Sequence, residues 1–307
     1  MEDGGLAIAK KANNGGENGP NIRNRWGGVT LGRLKRSERV AVIIRTLVER
    51  PSVVFPLAGF AERLQAAKST ISEDLALVRG SFERLGMGRV ETLAGAAGGV
   101  RFFPFRGRDE AQQVALQLCR RLSEPERILP GGFLYMTDLI FSPHFSMQIG
   151  EIFATRFREA EPQYVITVET KGIPLALMTA RALNLPLVIS RRDARVTEGP
   201  SVGINFISGS SGRIQTMSLP KRAVPSGARV LIVDDFMKGG GTARGMVDLL
   251  AEFQADVVGI AVLVETLDPP VKLVRDYVSL VELEAVDGAG QNVRVRPGQR
   301  LFRGDAG

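Results

Sequence analysis

Histidine and cysteine are almost absent: the 307 residues contain one of each, His144 and Cys119. A lone cysteine can form no internal disulfide and cannot build a cysteine-ligated zinc site. A single histidine excludes a multi-histidine metal centre, and no nearby carboxylate in the sequence orients His144 as a general base. Cys119 falls on an apolar helical stripe with Val114, Ala115, Leu118 and Leu122, where it packs as a small hydrophobe. No run of 18 uncharged apolar residues exists, and the N-terminus has no signal-like apolar segment. A soluble, cytoplasmic chain with no membrane contact is expected.

Charge is present but unevenly placed. The formal net charge is +7. Residues 1–106 hold 17 Lys and Arg against 10 Asp and Glu, whereas residues 107–307 hold 23 of each. The whole excess therefore lies in the N-terminal third. A basic module on a neutral one suits a nucleic-acid-binding head on an effector domain; a solvated basic face is the alternative. Residues 1–33, rich in Gly and Asn, read as a disordered tail with Arg23, Arg25 and Trp26 near its end. Residues 34–106 and 107–307 read as two domains.

In the head, Val40, Ile43, Ile44 and Leu47 give a helical apolar face that Pro51 stops. A second helix fits residues 57–67. A third fits 71–85, with Ser69 or Thr70 as cap and Thr70 to Glu73 spaced as a capping box. After Gly86 the period changes to two, and residues 89–93 and 100–105 read as strands around a glycine-rich loop, 94–99. Three helices and a hairpin make a winged helix-turn-helix. Lys68, Ser69, Thr70, Ser72 and Arg79 are candidates for base or phosphate contact. Arg33, Lys35, Arg36 and Arg89 are candidates for the DNA backbone. A small oligomerisation or lid domain is the alternative.

The remainder alternates strand and helix, as in a parallel α/β sheet. Strands are expected at 164–168, 186–190, 229–234 and 257–264, and helices at 109–122, 144–159, 175–183 and 243–253. A hairpin is expected over 202–219, and the last 40 or so residues show short alternating runs, such as 293–295, and no legible chemistry. The most informative run is Val230-Leu231-Ile232-Val233-Asp234-Asp235-Phe236-Met237-Lys238-Gly239-Gly240-Gly241-Thr242. It reads as a buried strand carrying two carboxylates into a glycine-rich turn that opens a helix. The glycines permit close approach of a ligand, the helix start offers free N–H groups to a phosphate, and paired carboxylates suit sugar hydroxyls or magnesium. A tight turn with incidental acids is the bland alternative. The loop Thr170-Lys171-Gly172 follows another strand and supplies donors and one positive charge.

The 230–242 segment resembles the ribose-phosphate fingerprint of type I phosphoribosyltransferases, and Thr170-Lys171-Gly172 looks like their pyrophosphate loop. The resemblance implies that Asp234 and Asp235 bind the ribose hydroxyls of phosphoribosyl pyrophosphate (PRPP). It implies that Gly239, Gly240, Gly241 and Thr242 hold its 5′-phosphate, with magnesium carried mostly by PRPP itself. From about Leu34 onward the chain resembles the purine operon repressor family of Gram-positive bacteria. The matching runs are Ser69–Leu75, Gly95–Val100, Pro125–Gly132 and Arg213–Leu219. That family joins a winged-helix head to a phosphoribosyltransferase-like body and answers to PRPP without consuming it.

Lys238 departs from many phosphoribosyltransferases, which carry an acid at that place. A protonated lysine can bind phosphate but cannot take a proton from a purine. The expectation is therefore a DNA-binding homodimer that represses purine-synthesis genes, is released by PRPP with magnesium, and is not an enzyme. Two alternatives stay open: an active purine phosphoribosyltransferase, and a regulator whose pocket senses another purine nucleotide.

Overall fold

The computed structural model describes residues 34–95, 98–129, 133–192, 199–207, 213–286 and 293–302. The tail with Arg23, Arg25, Trp26 and Arg33, the wing residues Ala96 and Ala97, and residues 130–132 and 208–212 lie outside that set.

The head consists of α1 (Arg36–Glu49), α2 (Leu57–Leu64), α3 (Lys68–Arg84), β1 (Arg89–Leu93) and β2 (Gly99–Phe103). Ile43, Leu47, Phe60, Leu64, Ile71, Leu75, Val78 and Phe82 converge on one core, closed by Val90, Val100 and Phe102 of the hairpin. Within that core Asp74 is 1% exposed, and it accepts from Nε of Arg36 (3.1 Å) and Arg39 (2.8 Å), which ties α3 to α1. Two boundaries differ from expectation by three residues, and the second wing strand ends at Phe103, two residues early. Gln65 takes a left-handed conformation and ends α2 three residues early. α3 begins at Lys68 with Ala67 as its N-cap, so Ser69 and Thr70 lie inside the first turn and the expected capping box is not formed.

The body opens with α4 (Arg108–Leu122), a short hairpin of β3 (Ile128–Leu129) and β4 (Phe133–Leu134), then α5 (Thr137–Ile140) and α6 (Pro143–Phe157). It continues through β5 (Tyr164–Val168), α7 (Gly172–Leu183), β6 (Leu187–Ser190), β7 (Ser201–Ile207) and β8 (Ile214–Pro220). Then come β9 (Arg229–Met237), α8 (Gly241–Glu252), β10 (Asp256–Thr266), β11 (Tyr277–Val286), β12 (Val293–Pro297) and α9 (Gln299–Phe302). Six strands form one sheet in the order β12-β11-β10-β9-β5-β6, parallel except for β12.

The sheet is covered on both faces, which is why its strands read as continuous apolar runs. Along β9 the side chains alternate. Leu231 and Val233 pack with Leu175 of α7 and Phe153 of α6, while Val230 and Ile232 pack with Met246, Leu249 and Leu250 of α8. Cys119 sits in the first of these cores, where burial pushes its thiol up to about 11, so it packs and does not react. β9 runs three residues beyond the expected end, because Phe236 and Met237 still pair with Val264 and Glu265 of β10. The C-terminal stretch forms a ten-residue strand, β11, where the sequence had shown only short runs.

Head and body meet along a specific seam. Arg158, just after α6, grips Glu91 of β1 with both terminal guanidinium nitrogens, Nη1 and Nη2 (2.5 and 2.6 Å), and lies 4.5 Å from the Phe103 ring centroid. Phe103 packs with Ala154 of α6 and Ala182 of α7. The Ser52 hydroxyl donates to the carbonyl of Ala182 at 2.7 Å. In the connecting segment, Arg106 donates to Glu151 of α6 at 2.8 Å.

Candidate functional site

Open parallel sheets bind ligands beyond the carboxyl ends of their strands, and this chain has a cavity there. It lies beyond β5 and β9, has a volume of about 340 Å³, and is lined by residues of both strand ends and the start of α8. Asp234 and Asp235 reach it from the carboxyl-terminal half of β9: Asp234, 5% exposed, pairs with Val262 of β10 inside the ladder, and Asp235 is half-buried beside it. The Asp235 N–H donates to the Asp234 carboxylate at 2.9 Å. Burial pushes the Asp234 carboxyl up, and the negative charge of Asp235 adds to the rise. Burial also raises Asp235, against the opposing pull of its Asp234 hydrogen bond and of the Lys171 charge. A desolvated acid pair is held at the cavity with a cation nearby.

The glycine turn follows directly. Gly240 has φ 81°, a left-handed conformation that L side chains rarely adopt, and caps α8. The first-turn N–H groups of α8, from Gly241 through Thr242 and Ala243, have no intrahelical carbonyl to bond and therefore suit an anion. Behind the turn, Lys272 Nζ donates to the carbonyl of Lys238 (2.5 Å) and to those of Thr266 and Pro269 (2.7 Å each), and Leu273 N–H donates to Gly239. The second loop faces the first. Thr170 and Lys171 are exposed at the cavity, following a cis Glu169–Thr170 peptide. Gly172 opens α7, where a Cβ would collide with Thr167 Oγ1 and come within 3.0 Å of Asp234 Oδ1.

Of the ten residues expected to form the site, Thr170, Lys171, Asp234, Asp235, Lys238, Gly240, Gly241 and Thr242 line this cavity. Gly172 and Gly239 do not; they shape the backbone next to it. Sequence reasoning missed Arg192, Phe206 and Gln215, which also line it. Arg192 stands two residues past the end of β6, so the carboxyl-end rule could have found it. Phe206 and Gln215 arrive on β7 and β8, and nothing local in the sequence marked them.

No cluster of three or more His, Cys, Asp or Glu side chains suited to a metal occurs among the described residues. The acid pair and anion turn fit a sugar phosphate.

In the head, Lys68, Ser69 and Ser72 are exposed at the start of α3, and Thr70 is half-buried. Arg79 Nε donates to the carbonyl of Val90 at 2.9 Å and its Nη2 to Thr92, fastening α3 to the wing. Arg36, though 58% exposed on its side chain, is tied to Asp74, and Arg89 stacks over Phe105 at 3.5 Å. Among the described residues no helix is long and apolar enough to cross a membrane.

Comparison with known proteins agrees with this layout. Residues 35–104 match the family described as bacterial purine repressor, N-terminal, and residues 137–297 match the phosphoribosyl transferase domain. The chain is 46% identical over 269 residues to the purine biosynthesis transcriptional repressor of Bacillus subtilis (strain 168), covering 88% of this chain and 94% of that one. It is 40% identical to the purine biosynthesis transcriptional activator of Lactococcus lactis subsp. lactis (strain IL1403), over 86% of this chain and 98% of that one. The xanthine phosphoribosyltransferase of Geobacillus thermodenitrificans (strain NG80-2) is 37% identical over 48% of this chain and 79% of its own. With both modules matched in order along one chain, this protein belongs to the bacterial family of purine-biosynthesis transcriptional regulators, a purine-repressor head on a phosphoribosyltransferase-fold body.

Proposed function

We propose that this chain represses purine-biosynthesis genes as a homodimer, and that PRPP with magnesium occupies the body's cavity as an effector, releasing DNA without being consumed. The observation that carries this reading is the junction in one chain of two features. One is a head whose α3 presents Lys68, Ser69 and Ser72 to solvent; the other is a cavity where a buried acid pair faces a helix start. In this reading Asp234 and Asp235 accept from ribose hydroxyls. The Gly239–Thr242 turn takes the 5′-phosphate, and Thr170, Lys171 and Gly172 take the pyrophosphate. Lys238 adds a cation at the cavity rim and offers no base. PRPP lowers DNA affinity by favouring a state in which the heads meet DNA less well, and DNA lowers PRPP affinity by the same factor.

Two heads on one dimer gain affinity by engaging neighbouring sites. Duplex DNA from purine-gene control regions should outcompete scrambled DNA of equal length, and light scattering should give a dimer. Equal affinity for both DNAs would remove specificity from the proposal.

The xanthine phosphoribosyltransferase likeness favours a second reading, an active transferase. Pyrophosphate release with adenine, guanine, hypoxanthine and xanthine separates the two: none above background is expected, and sustained release with any purine makes the chain an enzyme. The Lactococcus activator raises the question of sign. A purine-promoter reporter should rise when this chain is removed; a fall would make it an activator.

A further inference from the structure

We propose that α7 is the mechanical link between effector and DNA: it joins the Thr170–Gly172 loop at one end to the DNA-binding head at the other, through Ser52. The inference rests on the effector reading above and specifies how the signal leaves the site.

The geometry has three parts. First, α7 starts inside the effector site. Its N-cap is Lys171, and Gly172 lies so close to Thr167 and Asp234 that no Cβ would fit, which seats the helix end directly on the acid-pair strand. Second, α7 is twelve residues long, about 18 Å, and is packed as a rod. Leu175, Ala176 and Ala180 are buried in the body core. Gly150 of α6 approaches so closely that a Cβ there would stand 2.6 Å from Met178, so α6 and α7 shift together.

Third, the far ends of both helices hold the head. At the end of α7, Ala182 accepts the Ser52 hydroxyl at 2.7 Å, and Arg181 makes a longer contact of 3.4 Å to the carbonyl of Val48. Beyond the end of α6, Arg158 holds Glu91 of the wing. Ser52 is well placed to transmit a displacement, because its N–H simultaneously donates to Phe102 of β2 at 2.7 Å. It also sits at φ 60°, a conformation that a non-glycine residue keeps only when its surroundings enforce it. One residue therefore bonds the wing strand with its backbone and the effector helix with its side chain. Spatial connection alone does not establish coupling, so the test measures coupling itself.

Ser52→Gly removes the hydroxyl and accepts positive φ more readily than serine does. DNA affinity of the full-length chain is titrated with and without PRPP and magnesium at matched ionic strength, for the parent and the variant. For a parent whose DNA affinity falls by a typical factor of about 5–150 with PRPP, the variant's factor should drop below about threefold. Its PRPP affinity and its DNA affinity without PRPP should stay within about threefold of the parent. An unchanged factor in the variant overturns the α7 route and leaves the effector reading intact. No factor in the parent overturns the effector reading itself, and the route with it. Hydrogen exchange on the parent protein gives a test independent of folding in the variant. PRPP with magnesium should change the exchange rate of the Ser52 amide severalfold, and an unaltered rate would show that the junction does not move.

Discussion

Two pairs of buried acids lie towards the carboxyl ends of neighbouring strands in the same sheet, and they have opposite fates. Glu265 and Glu282 are paired across β10 and β11, each 3% exposed. The protein closes both. Glu265 accepts from Tyr277 Oη (2.5 Å) and Ser279 Oγ (2.6 Å), and Glu282 accepts from Arg296 Nε and the Gln299 N–H (2.7 Å each). Burial, then Glu265, push the Tyr277 hydroxyl well above its usual range, so it stays a donor. Asp234 and Asp235 are buried to a similar or somewhat smaller degree, yet they open onto a cavity and, among the described residues, show no comparable set of side-chain donors. Burial alone therefore does not separate a structural acid from one proposed to bind a ligand. What separates them is whether the protein supplies the donors or leaves that to a ligand.

The largest expected effect breaks the closed pair. Glu265→Ala strands two buried hydroxyls, each costing about 1–3 kcal/mol, so urea unfolding should show a loss of roughly 2–6 kcal/mol. Next comes the open pair. Asp235→Ala should weaken PRPP binding by about 1.5–3 kcal/mol in calorimetry while the urea midpoint changes little. A large stability loss with unchanged PRPP affinity would reverse the assignment of the two pairs.

A subtler contrast comes from charge. Folding raises the Asp234 carboxyl, so the folded chain binds that proton more tightly than the unfolded chain does. The contribution of Asp234 to stability is therefore greatest below the unfolded value and falls as pH rises towards the raised one. Asp234→Asn removes that penalty and can still accept the Asp235 N–H through its amide oxygen. Its Tm at pH 7 should exceed the parent's while PRPP affinity drops, a trade of stability against function. The smallest effect lies in the head: Lys68→Ala should reduce the slope of log affinity against log salt for DNA by about one.

The sequence made the open pair legible because everything around it is local. Strand, acids, glycines and helix follow one another from Val230 to Thr242, and the Tyr164–Val168 strand matched its expected bounds. The closed pair was illegible because its donors arrive from other segments. Glu265 meets Tyr277 and Ser279 across 12 and 14 residues, and the segment holding Glu282 showed only short alternating runs. The seam between head and body was hidden for the same reason, since Arg158 meets Glu91 across 67 residues. Arg79 read as a candidate DNA contact because helical spacing places it on the outer face of α3; its hydrogen bonds to the wing were hidden, since Val90 lies 11 residues away.

The most direct measurement titrates the full-length chain onto purine-gene control DNA with and without PRPP and magnesium. Ionic strength is matched, since the ligand brings salt, and ATP with magnesium serves as the control anion. The expected result is a rise in the DNA dissociation constant equivalent to about 1–3 kcal/mol with PRPP, little with ATP, and none in Asp235→Ala, which still binds DNA. An identical dissociation constant with and without PRPP would contradict the proposal that this cavity controls the head through that ligand.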